Sequence, residues 1–137
     1  MKTITIIGGG ASGVLLAVNL MKNAGASPLE INLIEKSERI GRGAAYSAPN
    51  DFHLLNVPAN KMGAFPDDVE HFYKWLSASG HNFVANDFVP RRLYGAYLRD
   101  LFHQTACEKP ANVDLRLFNS EAIDVSIEDE RAIVRLD

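Results

Sequence analysis

Three glycines at a fixed spacing, Gly8, Gly10 and Gly13, stand between two apolar segments and limit what this chain can fold into. Thr3 to Ile7 is short, apolar and rich in β-branched residues, which predicts a buried parallel strand. Ala11 to Asn23 puts Val14, Ala17, Val18 and Met21 on one face, broadened by Leu15 and Leu16, which predicts a helix. Ala24-Gly25 closes it, with Gly25 expected as a left-handed cap. Ile31 to Glu35 predicts a second strand. Strand, glycine turn, helix and strand make a βαβ unit, whose crossover is right-handed as a rule.

G-x-G-x-x-G alone is a weak signal, but here it follows a predicted strand and opens a predicted helix. Gly8 allows the tight turn, Gly10 lets backbone approach a pyrophosphate, and Gly13 lets helix and strand pack closely. The free N–H groups and positive dipole end of the helix then meet phosphate charge, and Ser12 offers a hydroxyl. A plain turn without ligand is the alternative. Glu35, at the end of the second strand, is placed to accept hydrogen bonds from adenosine ribose hydroxyls and to repel a 2′-phosphate. It also reads as a solvated carboxylate paired with Lys36 or Arg39, which is worth little.

Neither feature separates FAD from NAD; the stretch after Glu35 does. A simple NAD domain soon enters another helix and strand. Here Lys36 to Pro66 loses periodicity and is punctuated by Gly41, Gly43, Pro49, Pro58, Gly63 and Pro66, yet keeps many apolar residues. That pattern predicts an ordered, cofactor-facing loop. Asp67 to Ala78 predicts a helix with an Asp67–Glu70 capping box and a stripe of Val69, Phe72, Tyr73 and Leu76. Pro90 to Cys107 predicts a longer helix whose Leu93, Tyr94, Tyr97, Leu98, Leu101 and Phe102 form a buried face. Alternation around Leu115 and Leu117 predicts one strand. Ile123, Val125 and Ile127, then Ala132, Val134 and Leu136, predict a hairpin turning at Glu128 to Arg131. Only two parallel strands are evident.

Composition narrows the function classes. The net charge of −3 comes without a basic block, which argues against nucleic acid or anionic membrane as partner. The apolar run from Ile4 to Leu20 is broken by Gly8-Gly9-Gly10 and lacks a clear cleavage site, so neither a signal peptide nor a membrane span is expected. A single cysteine, Cys107, excludes an internal disulfide, and a cytoplasmic location follows as the expectation. His53, His71, His81 and His103 lack metal-ligand spacing, and no nucleophile–His–acid set stands out; no metal site and no catalytic residue is assigned.

The segments GGGASG (Gly8 to Gly13), IEK (Ile34 to Lys36), GRGAAYS (Gly41 to Ser47), HLLNVPANKM (His53 to Met62), HFYKWL (His71 to Leu76) and VPRRLYGAYL (Val89 to Leu98) carry a resemblance over nearly the whole chain. The sequence resembles the N-terminal part of the FAD-NAD(P)-binding flavoproteins, and more distantly is similar to flavin-dependent N-hydroxylating monooxygenases and the glutathione-reductase group. The resemblance implies an α/β fold, a partial Rossmann-type FAD-binding domain over residues 1–137. Its parts are the βαβ unit, a long loop, two inserted helices and a β-hairpin.

It also implies contacts. Gly8, Gly10, Ala11, Ser12 and Gly13 would surround the pyrophosphate; Glu35 and Lys36 would meet the ribose. Arg42, Ala45 and Tyr46 would lie toward the ribityl chain or flavin ring, with Asn56 and Met62 in the loop near the ring. Arg91 or Arg92 would brace that region, and Ala122 or Ile123 would offer backbone to the adenine. Arg42, Arg91 and Arg92 read equally as solvent-facing charges, and Asn56 as a turn former before Val57-Pro58. The implied function is the FAD-binding domain of a flavin-dependent oxidoreductase whose NAD(P)H donor binds outside this chain, acting on a small-molecule substrate the sequence does not identify. An NAD-binding dehydrogenase domain and a non-catalytic adenine-nucleotide module are the rivals. The family pattern continues past Asp137. The expectation is therefore a fragment that binds FAD weakly alone, is inactive, and self-associates through uncovered apolar surface.

Overall fold

The computed structural model describes residues 2–137. Strand β1 (Lys2–Ile7), helix α1 (Ala11–Lys22) and strand β2 (Leu29–Ile34) form the expected βαβ unit. A long irregular segment follows, interrupted by a short 3₁₀ turn at Ala59–Lys61, and then come α2 (His71–Ala78) and α3 (Arg91–Glu108). Strand β3 (Val113–Phe118) returns to the sheet, and β4 (Ala122–Glu128) pairs antiparallel with β5 (Arg131–Leu136).

The sheet has three parallel strands among the described residues, in the order β1-β2-β3. The Leu115–Leu117 segment, expected only as a separate strand, is therefore a third parallel strand, with Ile31 beside both Ile4 and Leu115. The sheet is not buried on both faces. Ile4, Ile6, Ile31, Leu33 and Leu115 join the core, while Thr3 and Thr5 alternate outward. Val14, Ala17, Val18 and Met21 of α1 are fully buried, α3 packs along α1, and Tyr97, Leu98 and Phe102 of α3 are buried, Tyr97 against Phe72 and Trp75 of α2. The long helix thus spends its apolar face inside the core, as its periodicity predicts. Exposed apolar side chains include Ile123, Val125 and Ile127 of the hairpin, all more than half exposed, and Phe52 and Val84 of the loops.

Three local expectations are corrected. The C-cap of α1 is Asn23, bonded through its N–H to the Asn19 carbonyl, and Gly25 is not left-handed. The second helix starts at His71 rather than Asp67, and Glu70 caps it without a side-chain bond, so the Asp67–Glu70 box does not form. Asp68 instead accepts from Lys74 Nζ at 2.7 Å, and the Phe65–Asp68 bridge diverts the chain into a turn that leaves Val69 exposed. The hairpin turns at Asp129 and Glu130, both at positive φ, the geometry that matches the twist of a two-residue loop. Among the described residues, no helix is long and apolar enough to cross a membrane.

Candidate functional site

The glycine turn is built by three close approaches. The Gly8 N–H still donates to the Ile34 carbonyl at 2.8 Å, extending the sheet by one bond. Gly8 then turns the chain at φ +99°, a region that favours glycine. Gly13 lets α1 start against the strand it has just left: a Cβ there would stand 1.9 Å from the Gly8 carbonyl oxygen. The first helical bond runs from the Val14 N–H to the Gly10 carbonyl at 3.0 Å. Gly10 caps the helix without a side chain, and the first turn holds no acidic residue. The N–H groups of Ala11, Ser12 and Gly13 therefore sit at the positive end of α1, whose first turn carries no acidic side chain of its own.

Glu35, one residue past β2, faces this turn. Its Oε2 accepts the Gly9 N–H at 2.7 Å, and its Oε1 accepts the Ser37 N–H and hydroxyl, each at 2.9 Å. A carboxylate offers about four acceptor positions, so one on Oε2 is left for a further donor. Burial by itself would raise the pKa of Glu35. The Ser37 and Gly9 hydrogen bonds, with Lys36 nearby, outweigh it and hold the group below the usual carboxylate value. Lys36 is not the partner of Glu35; its ammonium pairs with Glu121 at 3.1 Å.

A cavity of about 220 Å³ opens between the C-terminal ends of β1 and β2 and the link from β3 to β4. Gly8, Glu35, Lys36 and Ala122 line it together with Ile7, Ile34, Ser120 and Glu121. Four of the residues singled out in the sequence thus converge across 114 positions, Gly8 to Ala122. Ile123 does not line this cavity, and its side chain is exposed. A larger cleft of about 650 Å³ lies near the C-terminal end of α1 and contains none of the predicted site residues.

The loop after β2 packs on the glycine turn. The Gly41 N–H donates to the Gly9 carbonyl at 2.8 Å, and a Cβ on Gly43 would stand 3.2 Å from the Gly10 Cα. From the other side α3 receives the same loop. A Cβ on Gly95 would stand 3.1 Å from both the Arg42 Cγ and the Tyr46 Cβ, and the Tyr46 and Tyr94 rings lie 5.0 Å apart. Arg42 and Tyr46 are half-buried, and Ala45 is exposed. Farther on, Leu55, Ala59 and Asn60 donate backbone bonds to Val89, Asp87 and Ala85, at 2.9, 3.0 and 3.0 Å. That ladder leaves Asn56 exposed and Met62 packed against the core. Arg91 donates through Nε to the Leu54 carbonyl at 3.0 Å, and Arg92 forms a two-pronged pair with Asp51. Both arginines hold the loop from the start of α3.

Sequence reasoning assigned no role to Gly9, Ser37 or Gly95. A Cβ on Gly9 would press to 2.9 Å from the Glu35 Cβ, so Gly9 is what allows the carboxylate to reach its N–H. Gly95 had a legible signal: a glycine inside a helix costs about 1 kcal/mol relative to alanine and marks a close approach. Ser37 had none, because its role depends on the turn that folds it back onto Glu35.

Comparison with curated protein sequences gives no match. Solved structures are similar in fold. The bacillithiol disulfide reductase Bdr (YpdA) from Staphylococcus aureus superimposes with a TM-score of 0.61 at 15% identity, covering 99% of this chain and 34% of that one. The Diels-Alderase PyrE3 of pyrroindomycin biosynthesis gives 0.57 at 17% identity, covering 99% and 29%. FqzB gives 0.57 at 15% identity, covering 100% and 32%. The chain spans about a third of the length of these structures. Residues 5–137 match the FAD-NAD(P)-binding family. With a strand-to-helix glycine turn, a carboxylate anchored beside it and a family match over almost its entire length, the chain belongs to the FAD-NAD(P)-binding family.

Proposed function

We propose that this chain forms the adenosine and pyrophosphate half of an FAD site in a flavin-dependent oxidoreductase. The observation that carries the reading is the Glu35 carboxylate, tied to Gly9 at 2.7 Å with one acceptor position left, beside an uncapped helix N-terminus and in the wall of a cavity. The donor set fits a dinucleotide. N–H groups at the start of α1 complement phosphate charge, and a carboxylate complements ribose hydroxyls. Gly8, Gly10, Ala11, Ser12 and Gly13 would bind the pyrophosphate; Glu35 and Lys36 would border the ribose, and the backbone at Ala122 would border the adenine.

FAD is favoured over NAD by what is built onto the turn. The Gly41–Ser47 loop is hydrogen-bonded to the glycine motif and wedged against α3, which supports a ligand that continues past the pyrophosphate toward Arg42 and Tyr46. Bound FAD would supply hydride or electron transfer, while these residues bind and orient it. The remaining flavin wall, the NAD(P)H donor site and the substrate site would lie in parts of the protein outside residues 1–137.

The test is reconstitution of the full-length protein with FAD, followed by a visible spectrum and chromatography of the released cofactor. A blue-absorbing holoprotein that releases FAD supports the reading. Release of NAD alone, or no nucleotide after reconstitution, overturns it.

A further inference from the structure

A lysine next to the ribose-binding acid would ordinarily invite a 2′-phosphate. Lys36 directly follows Glu35 and lines the same cavity, so by position alone it is a phosphate ligand in waiting. The structure places something else on it. The Lys36 ammonium pairs with Oε1 of Glu121 at 3.1 Å, a contact across 85 residues that joins the two lips of the cavity.

Glu121 is itself held from behind. Its N–H donates to Oδ1 of Asp137 at 3.0 Å, its carbonyl accepts the Asp137 N–H at 3.1 Å, and the neighbouring Ser120 hydroxyl donates to the same Asp137 oxygen. The link between β3 and β4 is therefore fastened to the end of β5, and its fastening sets where the Glu121 side chain starts. Both partners of the Lys36–Glu121 pair remain more than half exposed, so its worth as a stability element is small. Its effect on an incoming anion is another matter, because a second carboxylate beside Glu35 neutralises the lysine and repels a dianion.

We propose that Glu121 is a specificity-determining residue: by engaging Lys36 at the lip of the adenosine cavity, it excludes adenosine ligands that carry a 2′-phosphate. This rests on the reading of the cavity as an adenosine site. The adenosine halves of FAD, NAD and NADP differ only at that phosphate, so a site with a lysine at this position needs a device to keep 2′-phosphorylated nucleotides out. Glu35 supplies part of the repulsion, and Glu121 removes the compensating cation.

The experiment uses two probes that differ only at the 2′ position, ADP-ribose and 2′-phospho-ADP-ribose, titrated calorimetrically into the full-length protein freed of bound cofactor. Wild type takes ADP-ribose and discriminates against the phosphorylated probe. In Glu121→Gln the ratio of the two dissociation constants falls several-fold toward the phosphorylated probe, and the gain disappears in Glu121→Gln combined with Lys36→Met. A ratio unchanged in Glu121→Gln, or a gain that persists without Lys36, overturns the proposal and leaves the adenosine reading standing. Failure of wild type to bind either probe overturns the adenosine reading, and this proposal with it.

Discussion

The contrast between Gly13 and Gly10 separates what the glycine turn does for the fold from what it does for a ligand. In Gly13→Ala the new Cβ would lie 1.9 Å from the Gly8 carbonyl oxygen. An ordinary carbon–oxygen contact is about 3.3 Å, so helix and strand must separate by roughly 1.4 Å locally. The opposing atom is backbone, and no side-chain rotation relieves it. A gap of that order along α1 forfeits much of the dispersion between Val14, Val18 and the sheet, and overpacking of this kind costs about 1–3 kcal/mol. Alanine returns up to about 1 kcal/mol of helix propensity. The net loss is about 1 kcal/mol, or roughly 3–5 °C in Tm for a chain of this size. In Gly10→Ala the Cβ meets only the Gly43 Cα at 3.5 Å, an ordinary contact, so the fold tolerates it. Urea melts of both variants, each without nucleotide and with saturating ADP-ribose, check the pair. Gly13→Ala should lower the midpoint in both conditions. Gly10→Ala should match wild type without nucleotide and lose the ligand-induced increase. A Gly13→Ala midpoint equal to that of wild type would refute the steric argument. Full ligand stabilisation in Gly10→Ala would refute the placement of the pyrophosphate.

Three further outcomes follow. Glu35→Gln removes a charge-assisted acceptor and should weaken FAD or ADP-ribose binding by about 1.5–3 kcal/mol, roughly 10- to 150-fold in Kd by calorimetry; unchanged affinity would return Glu35 to a purely structural role. His71 Nδ1 and the Tyr97 hydroxyl share a hydrogen bond at 2.7 Å, and burial lowers the His71 pKa below the usual 6.5. The unfolded chain then binds the proton first, so stability should fall as pH drops from about 6.5 toward the folded-state value, with a shallower fall in His71→Asn, measured by urea midpoints across that range. The exposed apolar face of the hairpin should drive self-association of residues 1–137, and Val125→Lys with Ile127→Lys should shift sedimentation toward monomer; an unaltered sedimentation profile would place the contact elsewhere.

Periodicity and spacing alone determined the βαβ unit, the long helix and the hairpin. These depend on contacts close in sequence: a period of two or 3.6, and glycines where a turn permits nothing larger. The same local logic marked Gly8, Gly10, Gly13 and Glu35 as one site. It failed at Gly25 and at Asp67–Glu70, where a competing local contact fixed the helix end. Asn23 found its partner inside α1, and the Phe65–Asp68 bridge took the residues that would have opened α2. Only the folded chain decided that β3 joins the sheet beside β2, because a strand's partner is chosen across some 80 residues and leaves no periodic mark. Separation in sequence likewise explains why Gly95 meets Arg42, why Gly9 reaches Glu35, and why Lys36 is spoken for by Glu121. Each is a close approach between segments whose local patterns are silent about one another, set by the packing of α3 on α1 and of the β3–β4 link on the ends of β1 and β2.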